Sequence, residues 1–120
     1  MIKLIIWGRP VPAVRMTRRG AHVKKNAQRY LAYKRHVGLI ARRDYKDKPT
    51  EEKVAVSLSI YLCGGVQGDI DNYFKSITDS LNKIVYKDDR QVAEADIRKI
   101  ECEKDEERIE VEIKVLEGVK

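Results

Sequence analysis

Two acidic stretches hold the residues of this chain best suited to chemistry. They are Gly68-Asp69-Ile70-Asp71-Asn72-Tyr73-Phe74-Lys75 and Tyr86-Lys87-Asp88-Asp89-Arg90-Gln91-Val92. Asp69 and Asp71 stand two positions apart. On a regular helix they would diverge by about 200°, but in extended backbone residues i and i+2 point to the same side. Both can share one cation if the chain is still extended there and a helix begins near Asp71, as N-cap or first-turn residue. Lys75, four residues on, then lies on the Asp71 face of that helix. Asp88 and Asp89 follow once the helix has run its length and the chain has turned. To rejoin Asp69 and Asp71, they need the next strand to run back beside the helix start.

Oxygen ligands of this kind select Mg²⁺ or Mn²⁺ over Zn²⁺. Carboxylates crowded together without a cation repel one another and favour protonation. A divalent ion removes that cost, polarises a phosphoryl oxygen and generates hydroxide for in-line attack. Lys75 is placed to meet the scissile phosphate or the charge developing on it. The purely structural alternatives are a helix cap and surface ion pair for Asp71 and Lys75, and a polar turn for Asp88-Asp89. Two aspartates one residue apart are weak evidence alone.

The distribution of charge sharpens the reading. Residues 1–48 carry 14 Lys/Arg and 2 Asp/Glu, a local balance of +12; residues 49–120 carry 11 and 17, a balance of −6. A basic half attracts polyanions, and an aspartate knot repels phosphate unless a divalent cation sits between them. That is the outline of a metal-dependent nuclease. Arg15, Arg18, Arg19, Lys24 and Lys25 form the candidate DNA-binding cluster, continued by Arg29, Lys34 and Arg35. Phosphate contacts give affinity, orientation and salt dependence but little sequence information. Tyr30 and Tyr33 read as core or dimer packing before stacking platforms, Trp7 reads as core, and His22 and His36 show no metal spacing.

At 120 residues the chain is one domain, 1–120, with a modest core. No apolar run approaches the roughly 20 residues that span a bilayer, and Met1–Trp7 is too short for a signal peptide. A cytoplasmic setting is expected, with no membrane partner and no organic cofactor. Cys63 and Cys102 lack metal-type spacing and read as free, buried thiols.

The positioning elements follow from periodicity. Residues 2–7 are a strand ended by Gly8-Arg9-Pro10-Val11-Pro12, and 13–23 read as a basic loop. A helix runs from Asn26 to about Arg43, with Leu31, Val37 and Ile40 on its apolar side and Tyr30 and Tyr33 at the edges. Val54, Val56, Leu58, Ile60 and Leu62 alternate as a strand, ended by Gly64-Gly65. A second helix covers about Asp71 to Lys83, with Ile70, Phe74, Ile77, Leu81 and Ile84 as its stripe. Strands at 91–103 and 107–116 follow, joined by Lys104-Asp105-Glu106 as an antiparallel hairpin. The order β-α-β-α-β-β predicts an α/β (α+β) fold, a small mixed sheet with two main helices.

The run Asp69-Ile70-Asp71-Asn72-x-x-Lys75, then Asp79-x-Leu81, then Asp88-Asp89-x-Gln91-Val92, resembles the RusA-type Holliday junction resolvases. Gly8-Arg9-Pro10-Val11-Pro12 and its basic loop are also like members of that family, and the resemblance spans nearly the whole chain. It implies a small α/β homodimer that binds branched DNA, the four-way junction, and cleaves it symmetrically with Mg²⁺ or Mn²⁺, leaving 5′-phosphate and 3′-hydroxyl ends. By position, Asp69 and Asp71 correspond to the paired metal aspartates, Lys75 to the catalytic lysine and Asp89 to the third acidic ligand. The helix-to-doublet segment is about one residue shorter than in the family, which leaves Asp88 as the alternative third ligand. Gly68 stands where the family carries an arginine. The rival readings are a DNA-binding architectural protein without catalysis, and a nuclease for another branched nucleic acid.

Overall fold

The computed structural model describes residues 1–14 and 21–116, with side chains of the second stretch from Lys25 onward. The elements are β1 (Ile2–Trp7), α1 (Ala21–Asp44), β2 (Val54–Leu62), α2 (Ile70–Ser80), β3 (Val92–Glu101) and β4 (Arg108–Val115), with 3₁₀ turns at Asp89–Gln91 and Lys104–Glu106. The four strands form one mixed sheet in the order β1-β4-β2-β3. β4 pairs antiparallel with both β1 and β2, and β3 pairs parallel with β2.

The alternation in β2 works as expected: Val54, Val56, Leu58, Ile60 and Leu62 are all buried while their neighbours are half-exposed. They meet Ile109, Val111 and Ile113 of β4 and Leu4 and Ile6 of β1 in one core, against Tyr33, Val37 and Ala41 of α1 and Tyr73, Ile77 and Leu81 from α2 and its C-cap. Each buried aliphatic side chain contributes about 1.5–3 kcal/mol. Parallel pairing of β2 with β3 requires a crossover, which α2 provides. That crossover fixes where the chemistry lies. α2 leaves the Leu62 end of β2 and delivers the chain to Val92, which pairs beside Val54 at the other end.

The strand order corrects the predicted hairpin. Residues 104–106 do turn, but β3 and β4 are not neighbours, because β2 lies between them. Cys102 N–H still donates to Leu62 O at 3.2 Å, and the turn then carries the chain past the end of β2. The reason lies in the side chains. β4 has a fully apolar face and takes an interior position. β3 has no buried residue and takes the edge, where one flank of its backbone meets water.

The helices keep most of their predicted faces, with Val37, Ile77 and Leu81 fully buried and Ile40, Phe74 and Ile84 packed against the core, and differ in particulars. α1 begins at Ala21, five residues before Asn26, so residues 21–23 are helical, not loop. Its buried stripe is Tyr30, Tyr33, Val37 and Ala41, and Leu31 is exposed. The aromatic rings outbid leucine because they bury more area on a short inter-helix seam. α2 spans Ile70–Ser80 and ends before Lys83, which adopts a left-handed φ of 66°. Its buried residues are Tyr73, Ser76, Ile77, Thr78 and Ser80, while Ile70 is exposed and Phe74 only half-buried. Trp7 is also exposed, on the sheet face away from the helices, with the Arg108 guanidinium 5.2 Å over its ring. Cys63 and Cys102 are free but half-buried.

Candidate active site

The start of α2 is held open for chemistry. Asp69 is the N-cap in extended conformation (φ −73°, ψ 153°), and the helix begins at Ile70, so Asp71 lies in the first turn. The Asp69 side chain makes no capping hydrogen bond. Its carbonyl takes that load, accepting from Asn72 N–H at 3.0 Å. Asp69, Asp71 and Lys75 are all exposed, and the α2 N-terminus favours negative charge.

Four tethers fix this turn. Gly68 N–H donates to Tyr73 Oη at 3.1 Å, and Gly68 O accepts from Lys99 Nζ at 2.7 Å. Ala13 N–H donates to Asn72 O at 2.9 Å. The Arg9 guanidinium pairs with Glu107 and donates to Gly64 O (3.1 Å) and Val66 O (3.0 Å). Glu107, itself buried, also accepts from Cys63 N–H at 3.0 Å, and that bond is the main force holding its carboxyl below the ordinary range. The Gly8-Arg9-Pro10 segment thus clamps the 63–66 loop, where Gly64 (φ 49°) and Gly65 (φ 73°) take left-handed conformations that favour glycine. Gly68 has a different reason: a Cβ there would lie 2.9 Å from Pro12 Cβ and Cγ.

The second acidic group is built by the turn after α2. Asp88 caps the 3₁₀ turn, accepting from Arg90 N–H at 2.9 Å, and this backbone bond pulls its carboxyl below the usual range. Gln91 Oε1 accepts from Lys87 N–H and Asp88 N–H, each at 3.0 Å. Gln91 Nε2 donates to Thr50 O and Glu52 O, each at 2.8 Å. Tyr86 Oη, fully buried, donates to Thr78 O at 2.6 Å and binds the returning chain to α2. Of the doublet, therefore, Asp88 shapes the turn and Asp89 faces α2. Partial burial, then hydrogen bonds with Asp79 and Asp88, push Asp89 up to about 6.

Asp79 is the functional candidate that sequence reasoning left without a role. It lies close enough to Asp89 to raise that carboxyl, and it accepts from Tyr30 Oη at 3.2 Å. The signal was present: Asp71, Lys75 and Asp79 recur at intervals of four, a single helix face.

Asp69 and Asp71 lie at one end of α2, and Asp89 lies with Asp79 near the other. Asp71 and Asp79 are eight residues apart, ~12 Å along the axis, with Lys75 midway. β3 does run back beside the helix, but Lys99 is the residue it brings to the helix start. Among the described residues, no three His, Cys, Asp or Glu side chains converge on one metal-sized point. Lys75 and Asp79 share a cleft of about 480 Å³ with Ala13, Val14, Tyr30, Lys34 and Asn72. Asp89 lines an adjacent cleft with Phe74 and Thr78.

Lys25, Arg29, Arg35 and Arg42 are exposed on α1 and offer a basic face. Arg15, Arg18 and Arg19 and the side chain of Lys24 lie outside the described residues. Tyr30 and Tyr33 are buried, so neither is a base-stacking platform.

Comparison with known proteins bears on the whole fold. A relative from Bacillus subtilis (strain 168), described as the uncharacterized protein YqaN, is 26% identical over 94% of this chain and 95% of its own length. The family model described as endodeoxyribonuclease RusA matches residues 8–114, from the Arg9 clamp to the end of β4 and through both acidic groups. The chain therefore belongs to the RusA endodeoxyribonuclease family, whose activity is the resolution of Holliday junctions.

Proposed function

We propose that this chain resolves Holliday junctions by divalent-metal-dependent hydrolysis, as a homodimer that nicks two strands of like polarity symmetrically. The observation that carries the reading is the α2 face on which Lys75 stands midway between Asp71 and the Asp79–Asp89 pair, alongside the basic surface of α1. The donor chemistry suits a hard cation, since all are carboxylates, but they stand as two separate groups along α2; Asp89 is pushed up to about 6 by burial and by neighbouring carboxyls, a crowding that positive charge relieves. Asp69, Asp71 and Asp89 are the ligands that the family resemblance proposes for Mg²⁺ or Mn²⁺; in this structure Asp89 lies with Asp79, away from Asp69 and Asp71, and the three do not converge on one ion. Such an ion, if bound, would supply polarisation of the phosphoryl oxygen and a water of lowered pKa.

The chain's own residues do the rest. Lys75, exposed at the centre of the face, neutralises charge developing on the scissile phosphate. Lys25, Arg29 and Arg35 of α1, with Arg15, Arg18, Arg19 and Lys24 before them, hold the arms through phosphates, which suits recognition of branched shape over sequence. A twofold axis supplies the paired sites that resolution needs. No helix among the described residues is long and apolar enough to cross a membrane, and action on recombining DNA puts the enzyme in the cytoplasm.

The test is cleavage of a labelled four-way junction with Mg²⁺, Mn²⁺ or EDTA, beside a linear duplex of the same sequence. Paired metal-dependent nicks confined to the junction are expected. Tight junction binding with no nick under any metal would overturn catalysis in favour of an architectural role. Counting Mn²⁺ ions bound per chain then shows whether Asp69, Asp71 and Asp89 serve one ion.

A further inference from the structure

The helices cover one face of the sheet and leave the other open. The pleat that buries Leu4, Ile6, Val56, Leu58, Ile109 and Val111 turns their neighbours outward. The strand register orders those neighbours into rows across the sheet. Trp7, Arg108, Tyr61 and Ile100 make the first row, at the Leu62 end of β2. There the Arg108 guanidinium stands 5.2 Å over the Trp7 ring and 3.8 Å over the Tyr61 ring. Ile5, Glu110, Ser59 and Arg98 make the second row, and Lys3, Glu112, Ser57 and Asp96 the third. Lys114, Ala55 and Glu94 close the face beside Met1. Trp7 is 57% exposed and Ile5 43%, so apolar surface is open to water here. In the middle of the face β2 contributes the small Ser59, Ser57 and Ala55, and a hollow of about 250 Å³ lies over the last two.

We propose that a second copy of this chain packs on the open face, with the twofold axis running along the strands between β4 and β2. The inference rests on the homodimeric reading above and names its surface. Charge decides against DNA as the occupant. Lys3, Arg98, Arg108 and Lys114 are cancelled there by Glu94, Asp96, Glu110 and Glu112, on a chain of net charge +6. A polyanion gains nothing from such a face, whereas two such faces meet without net repulsion.

The pattern is also self-complementary. A twofold along the strands lays β4 over β2 of the second copy, and β1 over its β3. Arg108 then meets Tyr61 of the second copy, Trp7 meets its Ile100 and Lys3 meets its Asp96. Glu110 and Glu112 stand over its small Ser59 and Ser57, which leave them room. Lys114 enters its hollow, where Glu94 and Asp96 form part of the wall. A twofold across the strands would instead set Arg108 against Lys114 and Glu110 against Glu112, like charges in both pairs. Four strands about 4.8 Å apart make a face of ~20 by ~25 Å, so pairing removes about 1,000 Å² from water, the lower bound for a specific interface. An axis along the strands also brings both Leu62 ends, and with them the start of both α2 helices, to one end of the dimer. That is where paired nicking needs them.

The test is sedimentation velocity of the full chain over a concentration series, read together with the fluorescence of Trp7, the one tryptophan in the sequence. The parent should pass from monomer to dimer in the micromolar range, and Trp7 emission should move to the blue along the same isotherm as its ring is covered. Trp7→Ala should weaken dimerisation at least about 30-fold. Lys3→Glu and Asp96→Lys should each weaken it about 10-fold, and the two combined should restore it to near the parent's strength. A parent that stays monomeric at every concentration would overturn the proposal. So would a parent dimer whose Trp7 emission does not move and which Trp7→Ala and Lys3→Glu leave intact; that result leaves the homodimeric reading standing on another surface. Losses in the two charge variants that add, with no recovery in the pair, would overturn the twofold along the strands. Should Trp7→Ala fail to fold, the charge variants decide alone. A dimer on this face that cuts no junction would sink the resolvase reading and leave the interface standing.

Discussion

Replacing Asp89 with Asn should make this protein more stable at pH 8 and destroy its response to metal. Asp89 is pushed up from 3.8 to about 6 by burial and by the Asp79 and Asp88 carboxyls. In a fully desolvated site that displacement is worth ~3 kcal/mol; Asp89 is partly exposed, so screening reduces it to ~1 kcal/mol. The folded state holds the proton more tightly than the unfolded chain does. Its advantage is therefore complete below about pH 4 and is lost as pH rises through about 6. Asn keeps a hydrogen-bonding group and carries no charge. Parent and variant should melt together at pH 4, and at pH 8 in EDTA the variant should melt ~4 °C higher. Mn²⁺ at ten times its Kd should then raise parent stability by ~1.4 kcal/mol and leave the variant unmoved. Thermal melts at the two pH values, with and without Mn²⁺, read all of this. A variant that melts lower than the parent at pH 8 in EDTA would refute the repulsion argument, and one that still gains stability from Mn²⁺ would remove Asp89 from the ligand set.

Other perturbations reach the remaining parts of the site. Asp71→Asn should abolish junction cleavage while binding in a gel-shift assay survives; loss of both together would contradict the separation of catalytic and binding surfaces. Gly68→Ala puts a Cβ 2.9 Å from the Pro12 ring, an overpacking that should cost ~1–3 kcal/mol in denaturant melts and displace Asp69. Gln91→Ala deletes two donated and two accepted hydrogen bonds. It should cost about 2 kcal/mol and lower kcat, since the turn it holds carries Asp89. Combining Lys25→Ala, Arg29→Ala and Arg35→Ala should flatten the slope of log affinity against log salt by ~2–3, with cleavage intact at low salt.

Much of the fold was legible in the order of the residues. Period-two runs in β2 and β4, and Gly64-Gly65 after β2, marked elements correctly because local sterics and one-sided burial are written into neighbouring positions. The helix faces were less legible. Tyr30, Tyr33 and Tyr73 turned inward and Leu31 and Ile70 outward, since the inter-helix seam rewards large area over hydropathy. Gln91 and Arg9 were visible as motif residues, but their work as tethers was not, because their partners lie about 40 to nearly 100 positions away in sequence.

By itself the sequence determined that a basic surface and a set of aspartates share one α/β fold, and it placed Asp69 just ahead of one helix and Asp71 and Lys75 on that helix's first turns. Only the tertiary structure decided what each carboxylate meets. The strand order put β2 between β3 and β4, the parallel crossover sent α2 away from its own start, and Asp89 came to rest against Asp79 and not beside Asp71. The physical reason is that intervals along a helix are fixed by local geometry. The neighbour of a residue across an element is fixed by which strand buries more apolar surface, a competition settled over the whole chain.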